Sequence, residues 1–159
     1  MRSTLNFNSH WQFTKPGAAP VAVTLPHTWN AADGTDGGND YFRGICTYTK
    51  EFAAPAHADD EEVWLEFEGA AMTAVVTLND QELMRHAGGY STFRVNLTPA
   101  LAAQNTLTVT VDNSANRTVY PQKADFTFYG GLYRDVHILI VPHSHFALGN
   151  HGAPALRVT

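Results

Sequence analysis

Cysteine, basic residues and long apolar runs are all scarce in this sequence of 159 residues. The single cysteine, Cys46, excludes an internal disulfide, and we expect an inward-facing thiol on a strand. Ten Lys and Arg stand against 15 Asp and Glu, which gives a formal net charge of -5. Because the basic residues do not cluster, we predict no nucleic-acid partner and no membrane partner.

The N-terminal stretch "MRSTLNFNSHWQF" lacks the apolar segment of roughly 7 to 15 residues that a secretory leader requires. No later stretch approaches the roughly 20 apolar residues of a membrane span. These two absences favour a cytoplasmic location or else a truncated chain.

The length suits one domain, and 44% hydrophobic residues are enough to build a core. Short stretches of alternating apolar and polar residues recur between turn residues, which is typical of β-strands. We predict strands at 21–25, 45–52, 62–69, 73–78, 82–86, 92–97, 106–111 and 136–141. With no crossover helices to support a parallel sheet, the pattern predicts an all-β fold, a two-sheet antiparallel sandwich of jelly-roll type.

Local patterns add detail at three places along the chain. In "EVWLEFE" (62–68), Val63, Leu65 and Phe67 share one face of the strand, which we expect to meet the core. Trp64, Glu66 and Glu68 share the other face, which we expect to meet solvent. Asn79-Asp80 predicts a tight two-residue hairpin, since both residues tolerate positive φ. The stretch 98–105, with Thr98 as the cap and Pro99 in the first turn, predicts one or two helical turns.

Two long segments, 27–44 and 113–131, interrupt the strand pattern and are candidates for function. We expect the sandwich to occupy residues 1–147. Residues 148–159 resume an alternating pattern after Gly149, which indicates a linker or the start of a following, truncated domain.

Familiar catalytic patterns are missing: the sequence has no G-x-S-x-G elbow, phosphate-binding loop, dinucleotide fingerprint, H-E-x-x-H or C-x-x-C. His143 and His145 would share one face of an extended segment, but two imidazoles do not complete a zinc site. We therefore predict no catalytic residue and no metal site in this chain. Glu66 and Glu68 are better explained as a solvent-exposed strand face than as a glycosidase carboxylate pair.

The two long segments combine aromatic rings with acidic and amide groups, the mixture that stacks on sugar rings and binds their hydroxyls. The residues concerned are Trp29, Asn30, Asp33, Asn39, Asp40, Tyr41, Tyr120, Asp125, Phe126, Phe128, Tyr129 and Tyr133. The alternative is that the aromatics fill a corner of the core, with Arg134 and Asp135 as a structural ion pair.

Several longer motifs resemble the N-terminal sugar-binding domain of glycoside hydrolase family 2, and within it the β-galactosidases. They are "LPHTWNAADGTDGGNDYFRG", "LEFEGAAMTAVVTLNDQEL", "HAGGYSTFRVNLT", "NTLTVTVDN" and "YPQKADFTFYGGLYRDV", which follow in the family's order and at about its spacing. The resemblance implies a galactose-binding-domain-like jelly roll that precedes an immunoglobulin-like domain and a (β/α)8 barrel with both catalytic glutamates.

The resemblance also implies a supporting role for this domain in hydrolysis of terminal β-galactosides. A loop acid, which corresponds to Asp125, would reach the sugar pocket of the barrel, and Tyr129 would pack or stack beside it. A second sugar contact would come from Asn39 or else Asp40. Arg43, Arg134 and Asp135 would lock the base of the loop.

On this view the chain alone is inactive and holds no cofactor, although the full-length parent could use sodium or magnesium. Its partners would be carbohydrate and the other domains of the same polypeptide, in a parent that forms a homo-oligomer. Two alternatives stay open: a free-standing carbohydrate-binding module, and a structural or assembly domain without a ligand.

Overall fold

The computed structural model describes residues 2–31, 41–120, 127–149 and 153. These residues form ten strands arranged in two sheets, and every pairing between the strands is antiparallel. The all-β sandwich predicted from the alternating pattern is confirmed.

The smaller sheet has four strands in the order β1-β10-β5-β8. Their bounds are β1 Ser3–Asn6, β5 Glu61–Phe67, β8 Phe93–Asn96 and β10 Val136–Pro142. Because β10 lies between β1 and β5, the last of the described strands lies inside the sheet rather than at its edge.

The larger sheet has six strands in the order β3-β2-β4-β9-β6-β7. Their bounds are β2 Trp11–Thr14, β3 Val21–Val23, β4 Ile45–Ala53, β6 Thr73–Leu78, β7 Gln81–Ala87 and β9 Gln104–Asp112. The two longest strands, β4 and β9, pair over nine residues at the middle of the sheet.

One apolar core fills the space between the sheets. Strands β5 and β9 each bury alternate residues, because successive side chains point to opposite faces of a strand. The fully buried members include Val63, Leu65, Phe67, Leu107, Val109 and Val111. Cys46 is also buried, as expected, and burial raises the pKa of its thiol to about 11. A thiol with such a pKa is a poor nucleophile at neutral pH.

The hairpin at Asn79-Asp80 is confirmed. Both residues have positive φ, 49° and 65°, and they join β6 to β7 with Leu78 opposite Gln81. This is the backbone geometry that a two-residue hairpin between right-twisted strands requires.

The helix predicted over 98–105 is wrong. Only Thr98–Ala100 forms a short 3-10 turn, Leu101 is already extended, and β9 has begun by Gln104. Thr98 does not act as the cap, since its hydroxyl accepts a hydrogen bond from the Val63 N–H of β5 at 2.9 Å. Bonding to a neighbouring strand therefore outweighs the local helix signal.

Two strands were not predicted. In β1 all four residues are exposed, so no apolar alternation marks it. β2 buries Trp11 and Phe13 but is only four residues long. Both strands are fixed by pairing with distant parts of the chain, β10 and β4 respectively.

The outer face of β5 is less exposed than the sequence predicts. Glu66 and Arg94 form a salt bridge at 2.5 Å in which each side chain is only 13% exposed. Leu148 packs with Leu139 and Val141, and Trp64 packs against the same cluster. The chain after β10 thus folds back over this face, which no alternating pattern in β5 could reveal.

Candidate functional site

Two loop segments meet at one end of the sandwich. The first comprises the described residues 27–31 and 41–44, and the second comprises residues 127–134. The Thr28 hydroxyl donates a hydrogen bond to the Gly130 carbonyl at 2.8 Å, and the His27 N–H donates to the Leu132 carbonyl at 2.8 Å. Ala71 and Gly131 form an isolated bridge from the same region to the start of β6. The described parts of the two long segments identified in the sequence therefore lie together.

Two buried asparagines, Asn30 and Asn113, hold these segments together; we call the pair the amide clamp. The Asn30 side-chain oxygen accepts from the Gly130 N–H at 2.7 Å and from the Asn113 side-chain amide at 3.2 Å. The Asn113 side-chain oxygen accepts from the Gly44 N–H at 2.8 Å. Asn30 is 1% exposed and Asn113 is not exposed at all, so these bonds form without competition from water.

The glycine pair allows the close approach of the two segments. A Cβ at Gly130 would lie 2.1 Å from Cζ2 of Trp29, and one at Gly131 would lie 2.5 Å from the His27 carbonyl oxygen. Gly131 also has a φ of +130°, which side chains rarely adopt. Only glycine fits at either position.

Arg43 and Tyr41 tie the first segment to the second. The Arg43 Nε donates to the Asn113 carbonyl at 2.7 Å, and the Tyr41 hydroxyl donates to the Phe128 carbonyl. The guanidinium of Arg43 also lies 5.9 Å from the centre of the Phe128 ring. Arg43 therefore stabilises the loop base, the role that the resemblance implies for it.

Beside the clamp lies a cleft of about 280 Å³ lined by aromatic residues; we call it the tyrosine cleft. Its lining residues are Ala71, Tyr90, Thr127, Tyr129 and Tyr133. Tyr90 and Tyr129 are about half exposed, whereas the Tyr133 hydroxyl donates to the Gly89 carbonyl. Burial raises the pKa of the Tyr133 hydroxyl, so it acts as a hydrogen-bond donor and not as a base at neutral pH.

Arg134 and Asp135 do not form the predicted ion pair with each other in the described structure. Arg134 donates to the carbonyls of Glu68 and Tyr90 at 3.4 and 3.3 Å, while Asp135 accepts from the Asn8 side-chain amide at 2.8 Å. Each residue nevertheless supports the base of the loop.

The residues predicted to contact a sugar include a buried group and an exposed group. Trp29, Asn30 and Phe128 are buried and belong to the alternative interpretation, in which these residues fill a corner of the core. Tyr129 and Tyr120 are 49% and 78% exposed. Tyr129 remains a candidate for contact with a ligand.

Three of the four predicted substrate-binding residues, Asp125, Asn39 and Asp40, lie outside the described residues. A site for the cation that the resemblance implies in a longer parent also falls outside the described residues, because its ligand would be Asp125. For Tyr129, which the structure does describe, a role in substrate binding stays a prediction.

Three structural contributors were not identified from the sequence. Asn113 follows β9 as an ordinary polar residue, and its position in the clamp depends on contacts 69 and 83 residues away in the chain. The adjacent pair Gly130-Gly131 was a usable signal for close backbone approach. Tyr90 follows another glycine pair, in "HAGGYS", and could have been found in the same way.

Comparison with known proteins places the chain in a family. The model of the glycosyl hydrolase 2 galactose-binding domain-like family matches residues 41–157. A β-glucuronidase of Bacteroides fragilis is 32% identical over 98% of this chain and 23% of its own length. A β-galactosidase of Thermoanaerobacter pseudethanolicus is 25% identical over 91% of this chain and 22% of its own length.

Solved structures agree with this fold. The FMN-binding β-glucuronidase of Faecalibacterium prausnitzii superposes with a TM-score of 0.90 at 40% identity, over 96% of this chain and 24% of that structure. A β-glucuronidase of Bacteroides uniformis gives a TM-score of 0.85 at 35% identity, over 96% of this chain and 19% of that structure.

The fold is therefore that of a β-sandwich domain found in multidomain glycosidases. The chain belongs to the glycosyl hydrolase 2 galactose-binding domain-like family. It spans about a quarter or less of the length of the relatives it matches.

Proposed function

We propose that this chain is the N-terminal, non-catalytic domain of a family 2 β-glycosidase, and that its loop end supports a sugar pocket formed with other domains. The observation that carries the proposal is similarity along 98% of the chain to only 23% of a β-glucuronidase. Glu66, which the sequence offered with Glu68 as a possible glycosidase carboxylate pair, is instead paired with Arg94 at 2.5 Å.

The amide clamp gives a physical reason for this role. A residue that contacts substrate must be held rigidly, and the bonds of Asn30 and Asn113 fix the Gly130 backbone one residue from the exposed Tyr129. The same segment leads back to Asp125 in the sequence. A carboxylate there would bind sugar hydroxyls and strengthen those bonds as the ring flattens toward an oxocarbenium-like state.

For the substrate of the parent we propose terminal β-glycosides. The resemblance seen in the sequence favours β-galactosides. The relatives at 40 and 35% identity are named β-glucuronidases, and those at 32% include both a β-glucuronidase and a putative β-galactosidase. These names favour β-glucuronides as a second candidate. Turnover of an aryl β-galactoside and an aryl β-glucuronide by the full-length parent would decide between them.

The role of the loop acid is tested by Asp125→Ala in the full-length parent. We expect kcat/KM to fall about 100-fold, or about 2.7 kcal/mol of transition-state stabilisation. The matched control is Asp59→Ala, in an exposed turn. Unchanged kinetics for Asp125→Ala would remove the role proposed for that acid.

The isolated chain tests the other part of the proposal. We expect it to fold but to show no hydrolysis of either aryl glycoside. Titration calorimetry with galactose and glucuronate would identify a free-standing binding module, because such a module would show saturable binding without its neighbours. Concentration-dependent oligomers with no response to sugar would instead indicate an assembly domain.

A further inference from the structure

Three side chains with metal-binding atoms meet on the outer face of the smaller sheet. The ligand atoms of Glu68, Asp135 and His137 all lie within 4.8 Å of one another. His137 lies in β10, Asp135 directly precedes that strand, and Glu68 directly follows β5. At this end of the paired strands Phe67 lies opposite Val136, and both of these side chains are buried in the core. Because successive side chains along a strand point to opposite faces, the adjacent residues Glu68, Asp135 and His137 point to the outer face.

The backbone under this group is fixed. The Glu68 N–H donates to the Asp135 carbonyl at 3.1 Å, which extends the ladder between the two strands by one residue. The buried Asn8 donates from its side-chain amide to Oδ1 of Asp135 at 2.8 Å and accepts from the Val136 N–H at 2.8 Å. The carboxylate of Asp135 is thus oriented from behind, as metal-binding carboxylates commonly are.

His137 supplies an independent observation. Its Nδ1 is inaccessible to solvent and has no hydrogen-bond partner among the described residues. The nearest carboxylate oxygen, Oε1 of Glu68, lies 3.7 Å away, which is too far for a hydrogen bond. A buried nitrogen without a partner is uncommon in native structures and requires an explanation.

The charges around the group favour a cation. Glu68 and Asp135 contribute two negative charges, and in the described structure the only basic side chain within 4.0 Å of either carboxylate is that of His137. The nearby Arg94 is already paired with Glu66, and Arg134 bonds to main-chain carbonyls. A divalent ion would neutralise both carboxylates and give the Nδ1 lone pair a partner.

We propose that Glu68, Asp135 and His137 form a site for a divalent first-row transition ion such as Zn²⁺. One imidazole and two carboxylates are suitable ligands, and water would complete the coordination. Bonds of about 2.1 Å place ligands roughly 3.4 Å apart, so the group must contract slightly on binding. The Glu68 side chain, 42% exposed, has the freedom to do so. This inference does not depend on the proposed function.

Titration calorimetry of the 159-residue chain with ZnCl₂ tests the site. We expect one Zn²⁺ per chain, with binding weakened at least tenfold in His137→Gln and in Glu68→Gln. We also expect Zn²⁺ to raise the midpoint of thermal unfolding of the wild type but not of either variant, because ligands stabilise the state that binds them. Acidification should weaken binding, since protons compete for the imidazole nitrogen.

The matched control is the double variant His143→Gln, His145→Gln. These two histidines face Glu62 at 3.1 and 4.0 Å and form the other grouping of imidazole and carboxylate in the described chain. We expect this variant to bind Zn²⁺ as the wild type does. Loss of binding in the control but not in His137→Gln would overturn the proposal.

Two further outcomes are decisive. No saturable Zn²⁺ binding by the wild type would overturn the site and leave His137 and Glu68 as a simple ion pair. If His137→Gln fails to fold, Glu68→Gln still decides, because that carboxylate is partly exposed and makes no hydrogen bond on which the described fold depends. Wild-type affinity in Glu68→Gln would then count against the proposal.

Discussion

Gly130 is the residue on which the closeness of the two loop segments most depends. Its N–H bonds to Asn30, its carbonyl bonds to Thr28, and its missing side chain leaves room for the ring of Trp29. The Gly130 carbonyl also accepts from the Trp29 N–H at 3.3 Å, so this position combines three hydrogen bonds with a steric requirement. The clamp could not form around any larger residue.

We predict that Gly130→Ala lowers the free energy of unfolding by about 1 to 3 kcal/mol or more, because the added Cβ would lie 2.1 Å from Trp29. Urea denaturation followed by tryptophan fluorescence measures the change. The matched control is Gly149→Ala, where a Cβ would meet nothing within 4 Å. Equal stability of the two variants would contradict the packing described for the clamp.

His27 makes the stability of the loop base depend on pH. Its Nδ1 bonds to the Tyr48 hydroxyl at 2.8 Å, and burial lowers the pKa of His27 below its ordinary value of 6.5. Burial also raises the pKa of Tyr48 strongly, so that hydroxyl stays neutral. Below pH 6.5 the unfolded chain binds a proton at this histidine more readily than the folded chain does.

The free energy of unfolding should therefore fall as the pH is lowered through 6.5 toward the depressed pKa of the folded state. We predict that this slope becomes shallower in His27→Gln, as measured by urea denaturation between pH 7.5 and 5. The exposed His57→Gln serves as the control and should keep the wild-type slope. A wild-type slope in His27→Gln would show that His27 is not the responsible group.

Among the elements, the β6–β7 hairpin is the clearest case of local sequence specifying structure. Asn79 does more than turn the chain: its side-chain oxygen accepts from the Thr106 N–H at 2.9 Å and its amide donates to the Ala100 carbonyl at 3.0 Å. Asp80 only has to adopt positive φ. A substitution of Asn79 therefore removes hydrogen bonds, whereas a substitution of Asp80 only has to be compatible with positive φ.

We predict that Asp80→Gly raises the free energy of unfolding by up to about 1 kcal/mol, because glycine adopts positive φ without strain. Asp80→Val should lower it by about 1 kcal/mol or more. As a control, Gln81→Gly lies in extended β7 and should lower stability by about 0.5 to 1 kcal/mol. Thermal unfolding would rank the three variants, and the reverse order would contradict the turn geometry.

Strand β5 shows what a local pattern cannot predict. Its inward residues Val63, Leu65 and Phe67 follow from alternation and are fully buried. Its outward residues were expected to meet solvent, but Glu66 is paired with Arg94 and Trp64 packs against the cluster formed with Leu148. Arg94 lies 28 residues after Glu66, and Leu148 lies in a segment some 80 residues after β5, so periodicity within β5 carries no information about either contact.

For the molecule as a whole, the proposed supporting role agrees with both the family relationship and the geometry. A single core joins both sheets, and the loop ends carry the irregular segments with the aromatic side chains. The chain matches only about a quarter of its multidomain relatives. A rigid sandwich that presents loops to a neighbouring domain is consistent with both observations. The described residues contain no helix of the length and hydrophobicity needed to span a bilayer.

The all-β class, most of the strands and the β6–β7 turn follow from alternation and turn chemistry, because these signals act over a few neighbouring residues. The amide clamp, the cover over β5 and the group Glu68, Asp135 and His137 depend on residues that are far apart in the chain. No local pattern links Asn30 to Asn113 or Glu68 to His137. Their chemistry arises only when antiparallel pairing sets the register and brings those side chains within a few ångströms of one another.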